Sequence, residues 1–139
     1  MADKLLFELV SPERLLISRE VGMVVVPGAE GDFGVLPEHA PLISTVRPGV
    51  IDVYDDGVTV SERIFVAGGF AEVTGERCTV LADEAVPFEQ VTAEQLAERE
   101  RAAELELSEA ETDAEKAAAQ KNLAVAKDLR RAQAYYASR

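Results

Sequence analysis

The chain has 139 residues, with 26 acidic and 14 basic side chains and a net charge of −12 at pH 7. This charge argues against direct binding of nucleic acid or anionic lipid, since both need clusters of Lys and Arg to neutralise phosphate. No apolar run approaches the ~20 residues of a membrane-spanning helix, and the single cysteine, Cys78, permits no disulfide within the chain. The first residues show no secretory or import pattern, so we expect a protein of a reducing compartment.

The first part of the chain alternates apolar and polar residues in short runs, which is typical of β-strands. Seven strands are predicted: Leu5 to Val10, Leu15 to Ser18, Met23 to Val26, Val50 to Tyr54, Val58 to Val66, Gly69 to Val73 and Arg77 to Leu81. Gly57 and Gly75 lie where hairpin loops between successive strands need a positive φ. Because no helical pattern interrupts them, the strands predict an all-β sandwich, a flattened antiparallel barrel, over residues 1–88.

The segment from Val26 to Gly49 is dense in glycine and proline, and reads VPGAEGDFGVLPEHAPLISTVRPG. Glycine supplies backbone freedom, while proline fixes φ and removes an amide donor, so we interpret the segment as strand ends joined by tightly specified loops. Loops of this kind often contact partners. The only histidine, His39, lies here among acidic residues whose spacing matches no metal-ligand pattern, and we expect it to bond loop backbone.

No set of residues typical of a catalytic centre is recognisable. The sequence has no nucleophile elbow, no Cys–His motif and no phosphate-binding loop. The pair Gly68 and Gly69 is interpreted as a bulge or a close approach of strands, and Cys78 as a small buried filler. The residues therefore do not indicate an enzyme acting alone, and neither catalytic nor metal-binding residues are predicted.

Residues 89–139 are rich in strong helix formers and contain neither Gly nor Pro. Thr92 with Gln95, and Thr112 with Glu115, have the spacing of a capping box, in which a side chain and the backbone satisfy each other at a helix start. Two such starts predict two helices. Because a short connection makes neighbouring helices antiparallel, the segment predicts an antiparallel α-helical hairpin as the C-terminal domain.

The two helices are predicted to meet along a thin, alanine-rich seam, with the break between them anywhere from Ser108 to Asp113. The predicted seam residues are Leu96, Ala103, Leu107 and Ala110 on the first helix and Ala118, Val125, Leu129, Ala132 and Tyr136 on the second. Residues 89–115 carry ten acidic and two basic groups, and residues 116–139 carry one acidic and six basic groups. We expect the acidic first helix to lie against the basic second one. The charges are then either two solvated faces or the sign that the basic helix meets an acidic partner when extended.

The order of these features resembles the epsilon subunit of bacterial F-type ATP synthases, whose mitochondrial counterpart is called delta. The resemblance runs nearly end to end and rests on VPGAEGDFGVLPEHAPLISTVRPGVI, FVAGGFAEV and TVLADEAV, followed by the Ala/Glu-rich hairpin. It implies a noncatalytic rotor subunit of the central stalk that couples ion-driven rotation of the c-ring to the gamma subunit and ATP synthesis. Because no presequence is recognisable, the expected location is peripheral on the cytoplasmic face of the bacterial plasma membrane, with membrane contact only through the complex, although a plastid-encoded chain would look similar.

Site residues follow from the same resemblance. The loop facing the c-ring is expected at Glu30, Gly31, Asp32 and Phe33, with His39 close to the same contact. Another surface of the sandwich is expected to give gamma an apolar patch. The extended second helix would reach the beta and alpha subunits and impede ATP hydrolysis through Lys121, Lys127, Arg130 and Arg131. The hairpin could equally be a passive clamp.

Some members of the family bind ATP through an Ile/Leu-Asp-x-x-Arg-Ala motif on the first helix. The nearest match here keeps Arg101 and Ala102, but Ala97 replaces the aliphatic residue and Glu98 replaces the aspartate. These departures disfavour ATP binding, and no resident cofactor is expected. Two other classes stay open: a sandwich adaptor with a helical dimerisation tail, and a small-ligand-binding sandwich enzyme. The capping boxes favour a hairpin within one chain over a dimeric coiled coil, and the enzyme lacks a convergent catalytic set.

Overall fold

The computed structural model describes residues 4–137. It contains ten strands and two helices: β1 (Leu5–Val10), β2 (Leu15–Val21), β3 (Met23–Gly28), β4 (Gly31–Val35), β5 (Leu42–Val46), β6 (Gly49–Tyr54), β7 (Glu62–Val66), β8 (Gly69–Val73), β9 (Arg77–Ala82), β10 (Ala85–Pro87), α1 (Ala93–Glu109) and α2 (Asp113–Ala137). A 3₁₀ turn, Phe88–Gln90, follows the last strand. The chain divides into two compact units, with the boundary between Phe88 and Glu89.

The strands form one curled sheet in the order β10-β7-β6-β3-β5-β8-β9-β1-β2, with β4 paired to β3. The two halves of the sheet are joined by a single pairing, Gly28 with Val46. Alternate side chains of the strands point inward, as in β1, where Leu5, Phe7 and Leu9 are buried and the residues between them are not. This alternation builds one continuous apolar core, and the all-β sandwich predicted from the sequence is confirmed.

The strands differ from the prediction in several respects; for example, β10 (Ala85–Pro87) was not predicted. The residues Gly31–Val35 and Leu42–Val46, interpreted as loops and strand ends, are full strands. The strand predicted from Val58 begins only at Glu62, because residues 55–61 form a longer loop in which the Asp56 carboxylate accepts two backbone amides. The β1–β9 pairing is parallel, whereas the sequence predicted antiparallel neighbours throughout.

Both predicted hairpins are present, but only one turns as expected. Gly57 has a positive φ of 79°, which glycine adopts without strain. Gly75 needs no positive φ, because Thr74 and Arg77 close a four-residue loop around it through a backbone hydrogen bond of 2.8 Å. The predicted close approach at Gly69 is confirmed: a Cβ atom there would lie 2.0 Å from the Leu81 carbonyl oxygen.

Both capping boxes form as predicted. Thr92 and Gln95 exchange hydrogen bonds of 2.8 and 3.1 Å at the start of α1, and Thr112 and Glu115 exchange bonds of 3.1 and 3.0 Å at the start of α2. The helices are antiparallel, since Asn122 of α2 contacts Glu106 of α1 and residues farther along α2 contact residues nearer the start of α1. No helix within residues 4–137 is long and apolar enough to cross a membrane.

The buried stripe of the hairpin differs in part from the predicted seam. Leu96, Ala103 and Leu129 are buried as predicted. On α2 the stripe is shifted by one residue, so that Ala119 and Ala126 are buried while the predicted Ala118 is exposed and Val125 half-buried. The remaining predicted residues, Leu107, Ala110, Ala132 and Tyr136, are half-buried. A stripe of small residues allows this shift, because alanines on adjacent faces give almost no difference in apolar area.

Candidate partner-binding sites

The β3–β4 turn carries the residues expected to face the c-ring. Strands β3 and β4 pair from Val24 to Gly28, and the chain reverses through Ala29 and Glu30. Gly31 has a φ of 136°, which favours glycine. A Cβ atom at Gly28 would lie 2.8 Å from the Gly31 carbonyl oxygen and 2.9 Å from the Phe33 ring, so the turn is tight because both positions are glycine.

A guanidinium group braces this turn from the neighbouring segment. Arg47 donates one hydrogen bond of 2.6 Å to the Gly28 carbonyl oxygen and a second of 2.6 Å to the Asp32 carboxylate. Two backbone bonds run alongside, from the Arg47 amide to the Pro27 carbonyl and from the Ala29 amide to the Thr45 carbonyl. Four hydrogen bonds therefore tie the β3–β4 turn and the end of β3 to the end of β5 and to Arg47, which follows it.

The two carboxylates of the turn differ in their surroundings. Asp32 forms an ion pair with Arg47, whereas Glu30 is exposed and forms no ion pair with any residue in the range 4–137. The negative charge of Asp32 also affects the pKa of Asp52 in β6. Burial raises the pKa of Asp52 above its usual value, Arg63 at 3.2 Å opposes the rise, and Asp32 adds to it. Glu30 is therefore the carboxylate of this turn that has no ion-pair partner within residues 4–137.

The loop holding His39 is fixed by its own backbone. The His39 Nδ1 atom lies 2.7 Å from the Ala40 carbonyl oxygen, which places the proton on Nδ1 because a carbonyl only accepts. Glu38 has a φ of 68°, and its amide donates to the Gly75 carbonyl over 2.7 Å, which ties the loop to the β8–β9 turn. Within the part of the chain that the structure describes, no group of three potential metal ligands occurs.

A row of exposed apolar side chains crosses one half of the sheet. Phe70 of β8 lies opposite Leu81 of β9, Leu81 opposite Val10 of β1, and Val10 opposite Leu15 of β2. Phe70, Leu81 and Leu15 are 54–59% exposed, and Ile43 of β5, diagonally beside Phe70, is 73% exposed. We call these five residues the apolar row. They are contiguous across five strands, which distinguishes them from the scattered apolar residues of an ordinary surface.

Three of the four basic candidates of α2 lie together in the hairpin. Lys127, Arg130 and Arg131, with Glu100 of α1 and Ala134, line an open cleft of about 350 Å³. Arg130 pairs with Glu100 across the helices at 2.5 Å, and the Glu100 side chain is only 15% exposed. The acidic helix thus lies against the basic one, as the sequence predicted.

The other basic and nucleotide candidates are placed differently. Lys121 is exposed and lies outside the cleft, nearer the start of α2. Arg101 forms an ion pair with Glu98 one turn earlier on α1, and Ala102 is exposed beside it. A nucleotide phosphate would have to compete with Glu98 for the Arg101 guanidinium.

Sequence reasoning did not assign a specific contact to two of the charged side chains. Arg47 stands between strand and turn residues, and only the strand register shows that it faces Asp32. Glu100 could have been found, because it lies four residues after Leu96 and three before Ala103, which places it on the buried face of α1. A carboxylate on that face needs a cation from the other helix, and Arg130 supplies it.

These features define a β-sandwich protein with a helical hairpin and surfaces suited to protein partners. Residues 4–88 match the family described as ATP synthase, Delta/Epsilon chain, beta-sandwich domain. The ATP synthase epsilon chain of Paramagnetospirillum magneticum is 57% identical over 93% of this chain and 96% of its own length, and that of Rhodospirillum rubrum is 59% identical over the same shares. The chain belongs to the epsilon-chain family of the F-type ATP synthases.

Solved structures agree on the fold. A chain of the Euglena gracilis mitochondrial ATP synthase, in a structure of OSCP, F1 and c-ring, superposes with a TM-score of 0.76 at 22% identity, covering 98% of this chain and 82% of its own. A chain of the Tetrahymena thermophila mitochondrial ATP synthase, in a structure of the central stalk and c-ring, superposes with a TM-score of 0.65 at 15% identity, covering 94% of this chain and 96% of its own. At these identities the similarity is one of fold.

Proposed function

We propose that this chain is a noncatalytic rotor subunit that transmits rotation between the c-ring and gamma, on the cytoplasmic face of a bacterial plasma membrane. Family membership over nearly the whole chain supports a place in the ATP synthase complex. The observation that carries the rotor role is the apolar row, because a row this long needs a partner surface. The contiguous core of the sandwich supplies the stiffness that a torque-bearing part needs.

The apolar row is the proposed docking surface for gamma. Full burial of a large apolar side chain is worth about 1.5–3 kcal/mol, and four members of the row are still 54–73% exposed, so each of these four offers on the order of 1 kcal/mol. The whole row therefore supplies a substantial share of the free energy of a stable interface. Aromatic anchors dominate such interfaces, and Phe70, which lies between Ile43 of β5 and Leu81 of β9, is the anchor expected here.

Affinity purification of tagged variants from solubilised source membranes tests this surface. Phe70→Asp is expected to abolish recovery of gamma together with the alpha, beta and c subunits. Val58→Asp is the matched control, because Val58 is 81% exposed, lies in the β6–β7 loop outside the apolar row and gains the same charge. Equal recovery with both variants would contradict docking through the row. Recovery of unrelated partners by the native chain would contradict the rotor function itself.

The β3–β4 turn, residues 28–33, and the His39 loop are the proposed contact with the c-ring. Both are loops held rigidly by backbone hydrogen bonds, so little ordering is lost when a partner docks. An exposed carboxylate at Glu30 complements a partner loop that carries Lys or Arg. The contact is thus electrostatic at its centre and small in apolar area.

Inhibition of ATP hydrolysis by α2 is a second proposed function, favoured by the basic cleft. Lys127, Arg130 and Arg131 give three cations within about one turn of helix, which complements an acidic segment of a beta subunit when the hairpin extends. Reversal of charge at Arg130 and Arg131 is expected to relieve inhibition in the reconstituted complex, whereas Lys116→Glu at the start of α2 should leave it unchanged. An identical hydrolysis rate with all variants would make the hairpin a passive clamp.

A further inference from the structure

The β3–β4 turn presents two exposed carboxylates two residues apart, and of these only Asp32 has an ion-pair partner among the residues 4–137. Asp32 accepts a hydrogen bond from Arg47, whose other nitrogen reaches the Gly28 carbonyl on the opposite side of the turn. The same guanidinium therefore neutralises one charge and bridges the two strands of the hairpin. Glu30, at the tip, has no such cation among the residues 4–137.

We propose that Arg47 is a positioning residue that holds the β3–β4 turn in shape, and that Glu30 alone carries its charge to a Lys- or Arg-bearing surface. This rests on the proposed contact with the c-ring, which supplies that surface. Asp32 then acts inside the chain, as the anchor for Arg47, and not as a partner contact.

The chemistry of the guanidinium explains why arginine suits this position. Its planar fork donates in two fixed directions at once, here to a carbonyl and to a carboxylate. A lysine ammonium keeps the charge but offers a single compact donor centre, so it can neutralise Asp32 without bridging to Gly28. The substitution Arg47→Lys therefore separates the positive charge at this position from the bridge between Asp32 and Gly28.

Amide hydrogen exchange on the isolated chain tests the bracing. The reporter is the Ala29 amide, which donates a hydrogen bond to the Thr45 carbonyl oxygen beside the two side-chain hydrogen bonds of Arg47. Arg47→Gln is expected to speed its exchange about tenfold, and Arg47→Lys is expected to restore little of the protection. Arg77→Gln is the matched control, because Arg77 pairs with Glu8 in the other half of the sheet. Unchanged Ala29 exchange in Arg47→Gln would overturn the positioning role.

A binding experiment tests which carboxylate contacts the partner. The complex of each variant chain with gamma is bound to detergent-solubilised c-rings at low and high salt. Glu30→Gln should weaken binding about five- to tenfold at low salt and remove most of the salt dependence. The double variant Asp32→Asn/Arg47→Gln leaves the net charge unchanged, and its binding should keep the salt dependence. Glu13→Gln, which removes one negative charge in the β1–β2 loop, controls for net charge.

Two results would overturn this assignment. Equal loss of salt dependence in the double variant would show that Asp32 contacts the partner, and an equal effect of Glu13→Gln would show only a dependence on net charge. Failure of the native complex to bind c-rings would overturn the proposed contact and the role of Glu30 together. The exchange of Ala29 would still decide the role of Arg47 in that case, so the two failures are distinguishable.

Discussion

The sandwich and the hairpin are stabilised in different ways. The sandwich buries a continuous set of large side chains from nine of its strands, whereas the hairpin buries five residues, three of which are alanines. Since the free energy of burial scales with apolar area, the sandwich has far more to lose on opening than the hairpin has. The comparison teaches that most of the free energy of apolar burial belongs to one segment of the sequence and little of it to the other. A rotor needs rigidity in the part that bears torque and mobility in any part that changes position.

The largest expected effect lies in the sandwich core. Phe7 is fully buried between Leu5 and Leu9 on β1, so Phe7→Ala removes apolar area and leaves a cavity. The free energy of unfolding of the sandwich should fall by about 3–5 kcal/mol. Amide exchange of the β-strands under native conditions measures this loss. If the two units differ as argued, the protection of α2 amides should stay within error of the native chain, and an equal loss there would show a single cooperative unit.

A smaller loss is expected from the corresponding change in the hairpin. Leu129 is the largest buried side chain of α2 and is 4% exposed, and the other buried residues of α2 are alanines. Leu129→Ala should therefore lower the stability of the hairpin by about 2 kcal/mol, at the low end for buried leucine. Thermal loss of the helical circular dichroism signal measures it. Leu105→Ala is the control, since Leu105 is 60% exposed, and its midpoint should match the native one.

The sequence predicted the β-sandwich and the helical hairpin because their hydrophobic patterns have different periods. Alternation in β1 and capping boxes at Thr92 and Thr112 are local signals, and the structure follows them. The sequence did not predict β4 and β5 as strands, because the glycine and proline residues in and around them are typical of loops. Only pairing with neighbouring strands, which the sequence does not show, makes these segments extended. The sequence also did not show the apolar row or the hydrogen bonds of Arg47 to Gly28 and Asp32. Both depend on which strands lie side by side, and pairings such as Val10 with Leu81 join residues far apart in the chain.

A titration gives a probe of the sandwich alone, because the only cysteine lies in β9. Burial raises the pKa of Cys78 to about 12 from an ordinary value of 9.0. Between these values the unfolded chain loses the thiol proton while the folded chain keeps it, so stability is complete below pH 9 and falls as pH rises. The expected slope is up to about 1.4 kcal/mol per pH unit. Denaturant unfolding of the native chain and of Cys78→Ala, measured across this pH range, isolates the contribution of Cys78 to the free energy of unfolding. Parallel pH profiles of that free energy for the two proteins would contradict the prediction.

The smallest effect on stability bears most directly on how the hairpin moves. Glu100→Gln removes the partner of Arg130, and because Arg130 is 54% exposed the hairpin should lose only a few tenths to about 1 kcal/mol. The same change frees a cation that the proposed inhibitory contact requires. ATP hydrolysis by the reconstituted complex should therefore fall, while Glu104→Gln, an exposed change on the same helix, should leave the rate unchanged. A lower hairpin melting temperature with unaltered hydrolysis would mean that the Glu100–Arg130 pair holds the helices together without governing inhibition, so the hairpin's weak core would be its only source of mobility.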